Sequence, residues 1–409
     1  MNKTINRSLI FYFQRTNIYI SISFLLLTSL GLKAQTTISM QEAIERIKTQ
    51  HPNVLQQDLY IQQQRILKDA GKVQPAMGMG YSFEELGLAG SGVHSIYLQQ
   101  DFNLPQVAQR KVALQEALAQ TGEWQKAATQ KQLERSVAGL YQQILFLKSQ
   151  QNLNTELLDL YTKIEKIAQK RAEVGETGQL PIISTQSAKQ QIQLQQMNTQ
   201  QNYTTQLMLL QQFLMDNNIE GLSDTALVPL SIPASTNEIE THPLVQQIDQ
   251  QMTANTLQSE VIKSQLLPQI STSFQVQVVD QTFPNFGAQI GLNVPLFSKG
   301  IKAQVKANEL TTKILAQNKT WQIQQLNSQK AIALNQMTLL QEQLSHFEQV
   351  LLPNLQQQQA LSQQAYSIGE LDYLNVLQGL TQIIAAKQRY LQLILQLNLA
   401  WIDYRYLVK

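Results

Sequence analysis

The residues that could do chemistry are few and poorly placed for it. The four histidines are His51, His94, His242 and His346, and no two fall at a metal-ligand spacing. There is no cysteine, which excludes disulfides, thiolate sites and a lipidated N-terminal cysteine. No glycine-rich phosphate loop, G-x-S-x-G or H-E-x-x-H occurs. His51 and His242 each precede a proline at the start of a helical segment, where a polar turn residue is expected. The nine methionines are scattered. Met77 and Met79 fall on an apolar strand face, which suits packing or lipid and not a metal relay. The sequence therefore predicts no enzyme, no cofactor and no metal site. The polar residues that stand out are two Gly-Glu breaks in long helical stretches: Gly175-Glu176 in RAEVGETGQL, followed by Pro181, and Gly369-Glu370 in QAYSIGELDYLN.

Composition narrows the setting in which those breaks must work. The chain has 409 residues, 15% of them charged, with a formal net charge of +2. Four basic residues, Lys3, Arg7, Arg15 and Lys33, lie in the first 34 without an acid, so the rest of the chain carries −2. No basic stripe points to a nucleic-acid partner. Residues 1–34 read as a signal peptide: basic residues, the apolar run IYISISFLLLTSLGL, then cleavage after Ala34. The alternative, an uncleaved anchor, has an apolar run short for a spanning helix. No later stretch has the length and apolarity of a membrane helix; residues 391–402 come nearest, but are interrupted by Gln392, Gln396 and Asn398.

The chain is written twice. His51-Pro52 returns as His242-Pro243, Asn103-Leu104-Pro105 as Asn293-Val294-Pro295, and Gly175-Glu176 as Gly369-Glu370, in one order and at nearly one offset. Repeat 1 spans 35–220 and repeat 2 spans 241–409. The Pro- and Ser/Thr-bearing stretch 221–240 reads as a linker.

Each repeat has the same element order. A helix comes first. In repeat 1 it opens at Ser39 with Glu42 three residues on, a capping-box pattern, and is expected to run to about Lys72; in repeat 2 it covers about 244–267. A β-hairpin follows, at about 76–103 and 269–296. Then a very long helix runs from about 106 to 174 and from about 301 to 368. Leu133, Val137, Leu140, Ile144 and Leu147 form a heptad seam in the first. Met337, Leu340, Leu344, Phe347, Leu351 and Leu355 form the stripe of the second, which Pro353 should kink. A helical hairpin turns at a tip near 175–181 and again near 369–375. The returning helices reach about Met215 and Leu407.

The strands alternate cleanly. Ile270, Thr272, Phe274, Val276 and Val278 face one way, and Ser271, Ser273, Gln275 and Gln277 the other. Phe286, Ala288, Ile290, Leu292 and Val294 alternate with Gly287, Gln289, Gly291 and Asn293. Met77, Met79, Tyr81 and Phe83 alternate with Gly78, Gly80, Ser82 and Glu84. Such strands suit a membrane β-barrel with an aqueous lumen. The alternative is one face of a soluble sheet, which these long, thin helices would cover poorly. Four strands cannot close alone, and an open edge in lipid leaves backbone groups unpaired. Two chains would supply eight strands and three would supply twelve, and a conducting lumen favours three or more.

Together these stretches resemble the TolC-like outer-membrane efflux protein family. The resemblance covers nearly the whole mature chain and rests on the repeat, on ISMQEAIERIKTQHPNV, NVPLFSKGIKAQVKA, LLPNLQQQQALSQQAYSIGELDYLNVL, and LYQQILFLKSQ…RAEVGETGQL. It implies an α+β membrane protein with four transmembrane strands per chain. As a homotrimer this makes a 12-stranded barrel in outer-membrane lipid that continues into a periplasmic α-helical barrel. It also implies a periplasmic adaptor and an inner-membrane pump as partners. On this resemblance the tip, with Gly175, Glu176, Gly178, Pro181, Tyr366, Gly369, Glu370, Leu371, Asp372, Asn375 and Gln378, is the gate and the adaptor's docking site. Ser271, Ser273, Gln275, Gln277, Gln289 and Asn293 are expected to face the lumen. Asn375 and Gln378 stand where some members carry an acidic ring, and Pro181 and Leu371 where some carry an acid–arginine lock. The gate is thus expected to lack both and to be held by packing more than by charge. The form YxxLxxLKxxxxL…RxExGExxxL is most similar to partners of heavy-metal exporters of the RND type. A duct for type I protein secretion, and a periplasmic adaptor or coiled-coil scaffold, are the alternative functions.

Overall fold

The computed structural model describes residues 36–85, 92–231, 239–279 and 284–408; the expected signal peptide lies outside them. The elements, in chain order, are β1 (Thr36–Ile38), α1 (Met40–Gln50), α2 (Pro52–Gly71), β2 (Gly78–Glu85), β3 (Gly92–Phe102), α3 (Pro105–Glu173), α4 (Leu180–Leu214), β4 (Ile219–Leu222), α5 (Pro243–Lys263), β5 (Gln269–Val279), β6 (Asn285–Asn293), α6 (Lys299–His346), α7 (Leu352–Ser367) and α8 (Tyr373–Val408). At about 1.5 Å per residue, the 69 residues of α3 reach on the order of 100 Å.

The repeated His-Pro pairs are helix starts. The His51 Nδ1 accepts from the Asn53 N–H at 3.2 Å, and the His242 Nδ1 from the Leu244 N–H at 3.3 Å. Each imidazole caps a helix whose first residue is proline, where the missing N–H costs nothing. This corrects the expected single helix from Ser39 to Lys72. His51 is extended, which ends α1 at Gln50 and starts α2 at Pro52. The capping box at Ser39 is half formed. Its Oγ accepts from the Glu42 N–H, but the Glu42 carboxylate turns to Arg46.

The two hairpins make one antiparallel sheet in the order β2-β3-β5-β6. The repeats join where Phe102 pairs with Ile270 and Ile96 with Val276. This register gives the sheet two distinct faces. Tyr81, Ile96, Val276 and Phe286 form one row across all four strands, and Met79, Leu98, Phe274 and Ala288 the next. On the other face Gly78, Gln99, Ser273 and Gln289 are aligned, as are Gly80, Tyr97, Gln275 and Gly287. Among the described residues nothing covers the apolar face: Met79 is 78%, Phe286 70% and Ile290 81% exposed. The outer edges of β2 and β6 pair with no other described strand.

Away from the sheet the helices pack side by side, α3 against α2, α4, α5 and α8, and α6 against α5 and α8. The seam residues Leu133, Val137, Leu140 and Ile144 are buried, as are Met337, Leu344, Phe347 and Leu355 of the second stripe. Leu351 is not. Ahead of Pro353 the helix takes a π turn, Phe347–Leu351, in which the Leu352 N–H bonds to the Phe347 carbonyl. The extra residue per turn rotates Leu351 outward and brings Leu352 against the core.

Around this core, β1 and β4 pair in parallel. Asn398, fully buried, holds the chain that follows β4. Its side chain accepts from the Leu230 N–H and donates to the Gln142 Oε1 and the Val228 carbonyl, each at 2.8 Å. Gly221 and Leu222, in the expected linker, are thus strand, and the next residues are anchored.

Candidate functional site: the paired helical tips

The two Gly-Glu breaks are the same structure. Gly175 has φ +79° and Gly369 +84°, the left-handed region in which a side chain is strained. In the first tip the Gly175 N–H bonds to the Ala172 carbonyl and the Glu176 N–H to the Arg171 carbonyl. In the second, the Gly369 N–H bonds to the Tyr366 carbonyl and the Glu370 N–H to the Ala365 carbonyl. Both are Schellman caps, which satisfy the last carbonyls of a helix while the chain reverses. Asp372 then starts α8, its carboxylate accepting from the Asn375 N–H at 2.8 Å.

The structure brings the two tips together through a residue the sequence reading did not single out. Arg171, mostly buried at the end of α3, reaches into the second tip. Its Nη1 donates to the Tyr366 carbonyl at 3.2 Å and to the Leu371 carbonyl at 3.4 Å. Its Nε donates to the Glu176 carboxylate at 3.1 Å. The guanidinium also lies 5.1 Å from the centre of the Tyr366 ring. One charged fork thus ties the tip of repeat 1 to the tip of repeat 2. The signal available in the sequence was an arginine five residues before a glutamate, across a glycine turn.

Tyr366 is fully buried within the chain, beside Tyr373, Val376, Leu380 and, from α3, Leu157, Tyr161 and Ile164. Burial pushes its pKa up. Thr185, also buried, donates to the Pro181 carbonyl and lies 3.1 Å from the Tyr373 hydroxyl. Gly178, Glu370, Asp372, Asn375 and Gln378 are exposed, and Pro181 and Leu371 are half-buried. Val174, Leu180, Ile368 and Leu374 add an exposed apolar rim. The tip therefore combines a packed interior, one internal ion pair and an outer surface of neutral amides, two acids and aliphatic groups.

At the other end of the molecule, Ser271, Ser273, Gln275, Gln277, Gln289 and Asn293 share one face of the sheet, as their register requires. Repeat 1 adds Ser82, Ser95, Tyr97, Gln99 and Asp101 to it. Gly80 leaves room there for the Tyr97 ring; a Cβ at Gly80 would stand 2.3 Å from it. Among the described residues no cluster of histidine and acidic groups could hold a metal ion, and no helix is long and apolar enough to cross a membrane.

A sheet with one bare apolar face and one amide-rich face, continued by helices on the order of 100 Å long that end in capped tips, defines the architecture of outer-membrane channels with a periplasmic helical extension. Comparison with known proteins gives the same class. Residues 235–406 match the family model "Outer membrane efflux protein". No curated protein matches the chain. Among solved structures, the chain is similar to CusC (18% identity, TM-score 0.76, covering 90% of this chain and 92% of that one). It is also similar to the Campylobacter jejuni CmeC outer membrane channel (12%, 0.74, 93% and 90%) and to the outer membrane protein VceC of Vibrio cholerae (15%, 0.73, 90% and 95%). By sequence the match to that family model covers residues 235–406, and the chain has the TolC-like fold of these structures.

Proposed function

We propose that three copies of this chain form the exit duct of a tripartite efflux system. The duct passively conducts cargo delivered by an inner-membrane pump and a periplasmic adaptor. The observation that carries this reading is the four-stranded sheet. Its apolar face is bare and its edges, β2 and β6, are unpaired. In lipid both edges need a partner, because an unsatisfied backbone group there costs several kcal/mol, roughly, each. Three sheets joined edge to edge give twelve strands and enclose the Ser/Gln/Asn face as a polar lumen. Six capped tips would then ring the far opening, which we assign as the gate and the adaptor's landing surface. Gly175, Glu176, Gly178, Pro181, Gly369, Glu370, Leu371, Asp372, Asn375 and Gln378 would form its surface, and Tyr366 and Arg171 its internal brace.

The RND type of pump and heavy-metal cations as cargo are our finer proposal. They rest on the form RxExGExxxL and the preceding YxxLxxLKxxxxL. A channel need not ligate what passes through it, so the lack of cysteine is compatible with metal cargo. Fractionation of the source membranes followed by planar-bilayer recording tests the duct. Stable channels from the outer-membrane fraction are expected; a monomer in the inner-membrane fraction would overturn the reading. Deleting the gene and measuring tolerance to divalent metals against drugs tests the cargo.

A further inference from the structure

At the junction between β6 and α6 the chain presents two exposed apolar side chains and then a run of cations. Leu296 is 81% and Phe297 94% exposed, the latter more than any other large apolar side chain described. Lys299, Lys302 and Lys306 follow within the next nine residues. Lys263, at the end of α5, and Lys302 and Lys306 line a shallow groove of ≈ 430 Å³ together with Leu266, Val305 and Glu309. At the groove Lys263 pairs with Glu260 at 2.9 Å, and further along α6 Lys319 pairs with Asp249 at 2.7 Å. In repeat 1 Lys72 pairs with Asp69 and Lys68 with Glu116, and Arg110 shares Glu260 with Lys263. Among the described residues Lys299, Lys302 and Lys306 form no salt bridge, and Glu309 is the one acid in the groove.

Helix geometry fixes which way this patch points. At about 100° per residue, Lys302, Lys306, Glu309 and Lys313 form one stripe of α6. Gln304, Thr311, Asn318 and Gln322 form the opposite one. The side toward α5 lies between them, where the Asn255 Nδ2 donates to the Asn308 carbonyl and to Thr312 Oγ1. The neutral amide stripe continues the polar face of the sheet and suits the lumen. On the outer-membrane reading the lysine stripe then lies on the outside, close after β6 in the chain, at the depth of lipid headgroups.

We propose that Lys302 and Lys306, with Lys299 and the stem of Lys263, seat the phosphate of an anionic phospholipid from the periplasm-facing leaflet, with Leu296 and Phe297 against its acyl chains. The proposal rests on the outer-membrane reading above. Two features select this occupant over a soluble anion or a protein: the charge complementarity, and the place of the groove between the helix that leads into β5 and the helix that follows β6. Each basic residue near an anionic surface strengthens attachment about fivefold. Lys313 shares the stripe but lies roughly 16 Å further from the membrane than Lys302, beyond a Debye length of about 8–10 Å.

The test is native mass spectrometry of the full-length protein. It is extracted in detergent, supplied with equal phosphatidylglycerol and phosphatidylethanolamine, then progressively delipidated. Wild type should retain phosphatidylglycerol preferentially. K302Q/K306Q should lower that retention about 25-fold, K302R/K306R should restore it, and K313Q should leave it unchanged. E309Q should raise retention, which keeps the proposal testable if the double glutamine variant does not assemble. No preference in wild type, unchanged retention in K302Q/K306Q, no rise in E309Q, or an equal loss in K313Q overturns it. Displacement of the lipid by millimolar inorganic phosphate also overturns it, in favour of a soluble-anion site. Conductance in bilayers of phosphatidylethanolamine alone reads the duct separately. Channels without lipid preference would remove only this inference, and absence of channels would remove the duct.

Discussion

Replacing Arg171 with alanine should loosen the second tip while leaving the rest of the molecule intact. The charged fork makes two hydrogen bonds to backbone carbonyls, at 3.2 and 3.4 Å, both rather long. With a charged donor these are worth about 1.5 kcal/mol each, at the low end for such bonds. The Glu176 partner is half-exposed and adds about 0.5 kcal/mol. Contact with the buried Tyr366 ring adds less than about 1 kcal/mol. Allowing for relaxation and water entry, roughly 3 kcal/mol of local stability depends on this side chain, or about 150-fold in an opening equilibrium. The readout is amide hydrogen exchange at Gly369, Glu370 and Leu371, which report local opening. Exchange there should quicken by about two orders of magnitude in R171A. R171K should fall between, because a single ammonium nitrogen replaces the two fixed donor positions, Nε and Nη1, that reach Glu176 and the carbonyls separately. E176Q should change exchange less than about fivefold. Protection in R171A within twofold of wild type would refute the idea that the guanidinium braces the tip.

Four further outcomes follow from the same geometry. Gly175→Ala and Gly369→Ala should each destabilise their tip by about 1–2 kcal/mol through the left-handed backbone, seen as faster exchange confined to that turn. Met215 holds the same conformation, φ 54°, beyond α4 without being glycine; M215G should raise the thermal midpoint, by about 1 kcal/mol of stability. His242 is buried, and desolvation, aided by Lys131, lowers its pKa to about 4. Its unfolded form takes a proton first as pH falls, so stability is full above about pH 6.5 and is lost by about 3 kcal/mol on descent to pH 4. H242N keeps a cap and should flatten that acid limb in denaturation curves. Because Asn375 and Gln378 are neutral, periplasmic-side trivalent cations should block conductance only weakly; tight block would place an acidic ring at the mouth.

Much of this was legible because the governing physics is local. Alternation of period two placed Ser273, Gln275 and Gln289 on one sheet face without reference to any partner strand. Gly175 and Gly369 marked reversals because few other residues tolerate the left-handed turn. Other features depend on contacts that sequence proximity hides. Arg171 binds carbonyls 195 and 200 residues away, and a carbonyl acceptor leaves no trace in residue type. The β1–β4 pair was missed because strands of three and four residues show no period. The break at His51 looked like helix because the apolar pattern continues on both sides of it. Leu351 was assigned to the core because the π turn before Pro353 shifts the register by one residue.

On the proposed reading the bare sheet closes by threefold self-association around its amide-rich face. Single-particle imaging of the detergent-extracted, full-length protein tests it most directly. A threefold particle with a twelve-stranded barrel is expected, with β6 of one protomer paired with β2 of the next and Gln275 and Gln289 facing an open lumen. A monomer, or an assembly with Phe286 and Ile290 facing inward, would contradict it.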